Sequence, residues 1–286
     1  MHSKENRDER VIDGFGDEWS RFDQRVLSEA ELQVMFESYF QIFPWSELPP
    51  DATGFDAGCG SGRWARLVAP RVGRLICVDA SEAAAAVAQE NLSALPNCEV
   101  HTASISAMPI PDESADFGYS LGVLHHIPDT AAGIKSCVRK LKAGGVFLVY
   151  LYYAFDNRPP WFRLLWSATE PVRAMVSRAP HPLRFAVSQV IATFVYWPLA
   201  RTARLLERLG LSVDGLPLSY YRNRTFYVMR TDALDRFGTR LEKRFNRAEI
   251  ATMMGEAGLT DVRFSESAPF WCAVGKKPST SGTPAA

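Results

Sequence analysis

Three glycines at alternating positions, with an acid ahead of them and a second acid beyond, are the residues of this sequence best placed to do chemistry. Phe55-Asp56-Ala57-Gly58-Cys59-Gly60-Ser61-Gly62-Arg63-Trp64 follows a short apolar run and opens a helical stretch, the setting in which a glycine turn cradles a nucleotide. Glycine lets the backbone turn sharply and lets a ligand approach without meeting a Cβ. A bare strand-to-helix turn uses the same residues, so the spacing has to discriminate. The glycines recur every second residue, whereas the dinucleotide fingerprint G-x-G-x-x-G needs glycine where this chain has Arg63. The second acid is Asp79, at the end of Arg74-Leu75-Ile76-Cys77-Val78-Asp79-Ala80. A carboxylate at the carboxyl end of a parallel strand faces the ligand crevice and can accept from both hydroxyls of a ribose. Its plainer use is to cap the next helix, which Ser81 can also do.

The elements that must position these residues are legible from periodicity. Short apolar runs at 54–57, 74–79, 98–102, 116–121 and 145–152 read as strands, separated by helical stretches at 63–69, 83–92 and 130–141. Such alternation means a parallel sheet covered by helices on both faces. Before it, residues 30–43 carry helical spacing that ends ahead of Pro44. After it, 153–240 is long, aromatic and rich in arginine with few strand signals. Residues 249–257 read as a helix with Asn246 as N-cap and Gly258 as its stop, and 262–265 with 270–274 as a closing antiparallel hairpin.

Taken in order, Asp56-x-Gly58-x-Gly60-x-Gly62, Asp79, Met108-Pro109-Ile110-Pro111-Asp112, Leu124-His125-His126-Ile127-Pro128-Asp129 and Leu141-Lys142-Ala143-Gly144-Gly145 resemble the class I S-adenosylmethionine (SAM)-dependent methyltransferases, and more narrowly the branch that modifies small molecules. The resemblance covers about residues 54–150 and 243–275. It implies an α/β, Rossmann-like fold with a seven-stranded, mostly parallel sheet in the order 3-2-1-4-5-7-6, the seventh strand antiparallel, and a helical insertion between strands 5 and 6. The implied organisation is an N-terminal helical cap over 1–50, a SAM-binding core over 51–152, a helical and aromatic substrate lid over 153–240, the rest of the core over 241–276 and a disordered tail over 277–286.

The same resemblance implies SAM as cofactor and S-adenosylhomocysteine (SAH) as product, held by Asp56, Gly58, Cys59, Gly60, Gly62, Asp79, Ala80, Ser104, Ile105 and Leu121. Ser104 stands where the family usually has an acid for the adenine amino group, so a neutral hydrogen bond replaces a charge-assisted one, about 1 kcal/mol weaker. Gly16-Asp17-Glu18-Trp19 matches a Gly-x-x-Trp found near the start of similar enzymes. Trp19 either closes over the cofactor or belongs to a helix docked through its aromatics. His125 and His126, just past strand four, are the candidate bases, with capping or packing as the alternative. Tyr220, Tyr221, Arg222, Arg224, Arg230 and Asp235 fall in polar–aromatic clusters, read as loops, that the fold brings toward the acceptor. Arginines there can hold a carboxylate or phosphate in bidentate fashion.

From Asn157 to Arg208 eight arginines face only Glu170 and Glu207, a local charge of +6, with Trp and Phe interleaved. That stretch is either a lid solvated by its arginines or a region that rests peripherally on an anionic membrane. Its apolar part, Leu183–Ala200, holds Arg184, Ser188, Gln189 and Thr193 and reads as too short to span a bilayer. Over the whole chain the 32 basic and 32 acidic residues cancel, which gives no general basis for wrapping nucleic acid. Strand four runs into Ser120-Leu121-Gly122-Val123 rather than the Asn-Pro-Pro-Tyr-type tetrad of base methylators. Five dispersed cysteines fit neither a disulfide framework nor a zinc cluster, and no spacing indicates a metal. With no apolar run behind the charged first residues, the chain reads as cytoplasmic. The expected activity is methyl transfer to oxygen or nitrogen of a small, bulky or lipophilic acceptor. The alternatives are a SAM- or SAH-binding protein that does not methylate and, against Arg63, an NAD(P)-linked oxidoreductase.

Overall fold

The computed structural model describes residues 6–279; the charged start and most of the expected tail lie outside the described residues. The chain folds as two units, one of residues up to Ala154 and from Leu241 onward, the other of Phe155–Arg240. The first holds one sheet of β1 (Thr53–Ala57), β2 (Arg74–Asp79), β3 (Cys98–Thr102), β4 (Ala115–Leu121), β5 (Leu141–Tyr150), β6 (Thr260–Phe264) and β7 (Cys272–Lys276). Strand order is 3-2-1-4-5-7-6, parallel except for β7, which pairs antiparallel with both β5 and β6. The chain also forms helices α1 (Glu9–Arg21), α2 (Glu29–Phe40), α3 (Ala65–Val68), α4 (Glu82–Asn91), α5 (Thr130–Lys140), α6 (Pro160–Val176), α7 (His181–Ile191), α8 (Trp197–Arg208), α9 (Phe226–Gly238) and α10 (Arg247–Glu256).

At the centre of the sheet, β1 and β4 exchange glycines for phenylalanines. Gly54 is paired with Phe117 and Phe55 with Gly118, and each ring lies across the neighbouring glycine, where a Cβ would meet it at 2.1 Å. Both rings are fully buried. Glycine in a strand interior marks such a close approach. Sheet order reverses between β1 and β4, which opens the crevice where ligands of such sheets bind, and the glycine loop and the two histidines follow these strands.

Helix starts are fixed by side chains that accept orphan N–H groups: Ser81 for α4, Asp129 for α5, and Asn246 in a reciprocal box with Glu249 for α10. Several boundaries differ from expectation, and strand pairing accounts for those of β5 and of the closing strands. The strand expected from Gly145 begins at Leu141, because a bulge lets Leu141 pair with Ala115 directly after α5. The closing strands fall at 260–264 and 272–276 rather than 262–265 and 270–274, since pairing with β5 matches Tyr150 to Cys272 and Val146 to Lys276. Lys277, expected in the tail, still exchanges backbone hydrogen bonds with Gly144 and Gly145.

The second unit is built around α9. Met229, Ala233 and Phe237, four residues apart, are buried with Val176 of α6, Ala192 and Tyr196, and Ala200 of α8. The stretch from Met229 to Phe237, expected in loops, is therefore helical, because its apolar spacing gives α9 a face to bury. A second correction concerns Leu183–Ala200. α7, a five-residue π turn at Ala192–Tyr196 and α8 join into one helix of 28 residues, His181–Arg208, long and apolar enough by length and composition to cross a bilayer. The wide turn lies just ahead of Pro198, whose ring would otherwise clash with the carbonyl four residues back.

Gly118→Ala places a methyl against the Phe55 ring and is expected to destabilise the protein by about 2 kcal/mol, the scale of overpacking a tight core. Urea unfolding of the two proteins checks it.

Candidate functional site

The glycine loop is held from below and from the side. Gly58 and Cys59 both donate their N–H to Val78 O, at 2.7 and 3.0 Å, which ties the loop to the end of β2. Gly58, Gly60 and Gly62 have φ of +88°, +53° and +77°, a region that disfavours side chains. Asp79 completes the clamp. One carboxylate oxygen accepts from Gly60 N–H and the other from Ser81 N–H, each at 2.9 Å. Ser81, not Asp79, caps α4, so the two uses open to Asp79 in the sequence separate in the structure. Each oxygen keeps a second lone pair, which suits the two hydroxyls of a ribose. Burial raises the carboxyl's pKa, opposed by these backbone donors.

Gly16 and Trp19 act together, three residues apart on α1. A Cβ on Gly16 would sit 2.6 Å from Ser81 Oγ, so only glycine lets α1 pack this close to the start of α4. Trp19 then lies on the loop, where a Cβ on Gly60 would meet its indole at 2.9 Å. The Arg63 guanidinium stands over Trp64 at 4.5 Å and Trp19 at 5.6 Å. In the sequence Arg63 signalled only the broken dinucleotide pattern. These contacts make it part of the loop's aromatic flank.

Behind the loop, Asp56 is buried on β1 beside Cys77 and Tyr119, its register partners on β2 and β4. Its Oδ2 has no hydrogen-bond partner among the described residues. Burial pushes its pKa up to about 8, so near neutral pH the group is mainly the uncharged acid. Cys59 and Leu121 are buried around the loop and at the end of β4, while Ala80 is half-buried at the end of β2. Ser104 has its hydroxyl 3.0 Å from that of Ser106. The side chain of Ile105 belongs to the core.

The histidines part company in their surroundings. His125 has no exposed area, and neither ring nitrogen has a hydrogen-bond partner among the described residues. It packs on Tyr152 at 3.9 Å and on His126 at 4.0 Å, and burial, then His126 and Arg244, hold its pKa well below the usual range. That is a packing environment. His126, also buried, instead has Nδ1 2.7 Å from Leu241 O, and because a carbonyl only accepts, Nδ1 carries a proton and Nε2 is the nitrogen turned away from that bond. Its ring lies beside Phe15 of α1 at 4.9 Å. Tyr39, Trp64, Tyr150 and Tyr152 continue this aromatic wall, with centroids 4.9–5.9 Å apart. Sequence reasoning missed the wall. Its signal is Tyr150 and Tyr152, two apart at the carboxyl end of a parallel strand.

The remaining candidates lie in the helical unit, where Tyr220 contacts Tyr221 and Arg224 while Arg222, Arg230 and Asp235 meet other residues. Tyr220, Tyr221 and Arg222 are in a 3-10 turn, with Arg224 next to it and over the Tyr220 ring at 5.1 Å. Arg222 pairs with Glu207 at 2.9 Å and Asp214 at 3.5 Å. Arg230 and Asp235 are in α9, the one donating to Gln189 Oε1 and the other accepting from Thr239 Oγ1.

The features of the first unit fit the cofactor that the resemblance implies: a loop whose glycines leave no room for a Cβ beneath Trp19, and a strand-end carboxylate with acceptor capacity to spare. A family model described as a methyltransferase domain matches residues 55–149. A probable S-adenosylmethionine-dependent methyltransferase of Mycobacterium tuberculosis is 34% identical over 129 residues, 44% of this chain and 46% of that protein, so the chain spans about half of that relative's length. The ubiquinone biosynthesis O-methyltransferase of Pseudomonas fluorescens is 34% identical over 169 residues, 58% of this chain and 70% of that protein. A Thermotoga maritima structure described as a SAM-dependent methyltransferase, possible histamine N-methyltransferase, superposes with a TM-score of 0.50 over 92% of this chain and 99% of its own, at 15% identity. A putative methyltransferase from Bacillus halodurans gives 0.51 over 85% and 99%, at 14% identity. At such identities the two structures speak for the fold alone.

The buried Asp56 carboxyl makes stability depend on pH. With its folded pKa raised, its contribution is fully present below the ordinary carboxyl range and is lost as pH rises through about 8. Asp56→Asn is therefore expected to be more stable than the parent at pH 8 and to lose that advantage toward pH 4, read as urea midpoints across this window.

Proposed function

We propose, because the chain belongs to the class I S-adenosylmethionine-dependent methyltransferases, that it is an enzyme transferring a methyl group to a hydroxyl oxygen of a small, bulky or lipophilic organic acceptor. SAM is the cofactor of this family, and when bound it supplies an electron-poor methyl on sulfonium. Asp79, clamped by Gly60 and Ser81, is the observation that carries the cofactor site, since its geometry leaves one acceptor position on each oxygen. Gly58, Gly60 and Gly62 let the backbone approach the ligand, Trp19 covers the loop, and Ser104 with the backbone of Ile105 serves the base.

His126 supports the preference for oxygen over nitrogen. With Nδ1–H donated to Leu241 O, Nε2 is the nitrogen that accepts the acceptor's hydroxyl proton. His126 holds that proton on its imidazole until water removes it, leaving the acceptor oxygen free to take up a methyl group. His125 acts as a positioning residue that holds the His126 ring against Tyr152. The aromatic and apolar composition of residues 153–240 supports a bulky or lipophilic acceptor. The O-methyltransferase of ubiquinone biosynthesis among the relatives supports a phenolic hydroxyl as the first acceptor class to screen.

Calorimetric titration with SAM, SAH and NAD tests the cofactor reading. Binding of SAM and SAH without NAD is expected, and Asp79→Ala is expected to weaken it by about 10–100-fold, the loss of charge-assisted hydrogen bonds. Binding of NAD alone overturns it. In transfer of radiolabelled methyl to a panel of lipophilic phenols, His126→Ala is expected to lower kcat by ~10²–10³-fold with SAH affinity unchanged. Labelled amines with unlabelled phenols would turn the assignment to nitrogen.

A further inference from the structure

Apolar surface is unevenly spread over this protein. Of the 18 large apolar side chains exposed among the described residues, 16 lie in the helical unit of Phe155–Arg240. They follow helical spacing. On α6, Trp161, Leu164 and Met175 share one face, with Leu164 74% and Met175 70% exposed. On the long helix of α7 and α8, Leu183, Phe194 and Trp197 are exposed, Phe194 at 74%. The opposite sides of these helices are already buried on α9 through Val176, Tyr196 and Ala200. Each helix is thus satisfied on one side and leaves an apolar stripe on another, far more than scattered single exposures require.

The charge of the same segment says what meets it. Residues 157–208 carry +6 in a chain of formal net charge zero, so the rest of the protein balances them with −6. Arg163, Arg204 and Arg208 are exposed and make no ion pair among the described residues. Apolar and aromatic side chains beside unpaired arginines are the composition of helices that lie in a bilayer interface, where arginine stems cover apolar surface and their heads reach lipid phosphates. Although His181–Arg208 has the length to cross, its packing holds it in the unit. Arg184 donates to Gly238 O and Arg201 to Arg222 O and Arg224 O, and crossing would break these contacts along with those to α9.

We propose that the exposed faces of α6 and α7–α8 dock this protein on the surface of an anionic lipid bilayer, with Leu164 and Phe194 entering the acyl boundary and Arg204 and Arg208 at the phosphates. This goes beyond the methyltransferase reading and does not depend on it. The test is flotation of the full chain at physiological salt with vesicles of phosphatidylcholine alone or with about 30% phosphatidylglycerol. Strong partition into the anionic vesicles is expected, and weaker partition into the neutral ones. Leu164→Glu with Phe194→Glu, and separately Arg204→Glu with Arg208→Glu, should each reduce it by about tenfold or more. All four side chains are exposed, so the variants should keep the parent's circular dichroism, melting midpoint and SAH affinity. Failure of the parent to float with either vesicle overturns the proposal, as does equal flotation of parent and variants. A parent that stays off vesicles and is dimeric by light scattering, while the Leu164→Glu and Phe194→Glu variant is monomeric, would give the face to a second copy instead.

Discussion

The rest of the site depends on one carboxylate. Asp79 ends β2 with its two oxygens taken by backbone N–H groups from either side, the glycine loop after β1 and the turn into α4. A single side chain thereby fixes two connections that leave neighbouring parallel strands at the crevice of the sheet. Two backbone donors, one on each oxygen, hold the carboxylate in place, so the group that clamps the loop is also the one proposed to receive a ribose. Ser81 makes this division possible by taking over the helix cap.

Glycine recurs wherever two elements must meet at backbone distance. Gly16 brings α1 to Ser81, Gly60 lies under Trp19, and Gly54 and Gly118 accept the rings of Phe117 and Phe55. The α1 contact is the least obvious of these. It couples the chain's first helix to the loop through one small residue and one indole three positions on, so the site extends to an element about forty residues ahead of the glycine motif. Asp56 is the opposite case, an acid kept in the interior behind the glycine loop, where burial favours its protonated form.

Much of this was legible in the sequence because the core repeats a simple unit. Strands β1 to β4 and the helices between them follow from apolar runs and N-cap residues, and the strand order followed from resemblance to a family rather than from periodicity. Asp79 and the glycines were legible as a pair because their separation matches one strand–helix–strand step. The helical unit was harder to read. Met229–Phe237 carries enough charge to look like a loop, yet Met229, Ala233 and Phe237 give it a buried face. The polar residues singled out there have partners at positions such as Glu207, Gln189 and Thr239, and no local pattern reveals which distant group an arginine will meet. The same holds for His126, whose tautomer is set by Leu241, 115 residues away.

The chain leaves the sheet and returns to it at one place. Phe245 N–H donates to Tyr152 O and Ala154 N–H to Phe245 O, both at 2.9 Å, in a parallel bridge between Tyr153 and Phe245. Residues 155–240 lie between the two sides of that staple, so the ends of the excursion are held close together by the core unit. In building terms the helical unit is a loop stitched shut at its base: its two ends are brought together by backbone hydrogen bonds, and the segment that returns from it carries the Leu241 carbonyl that orients His126.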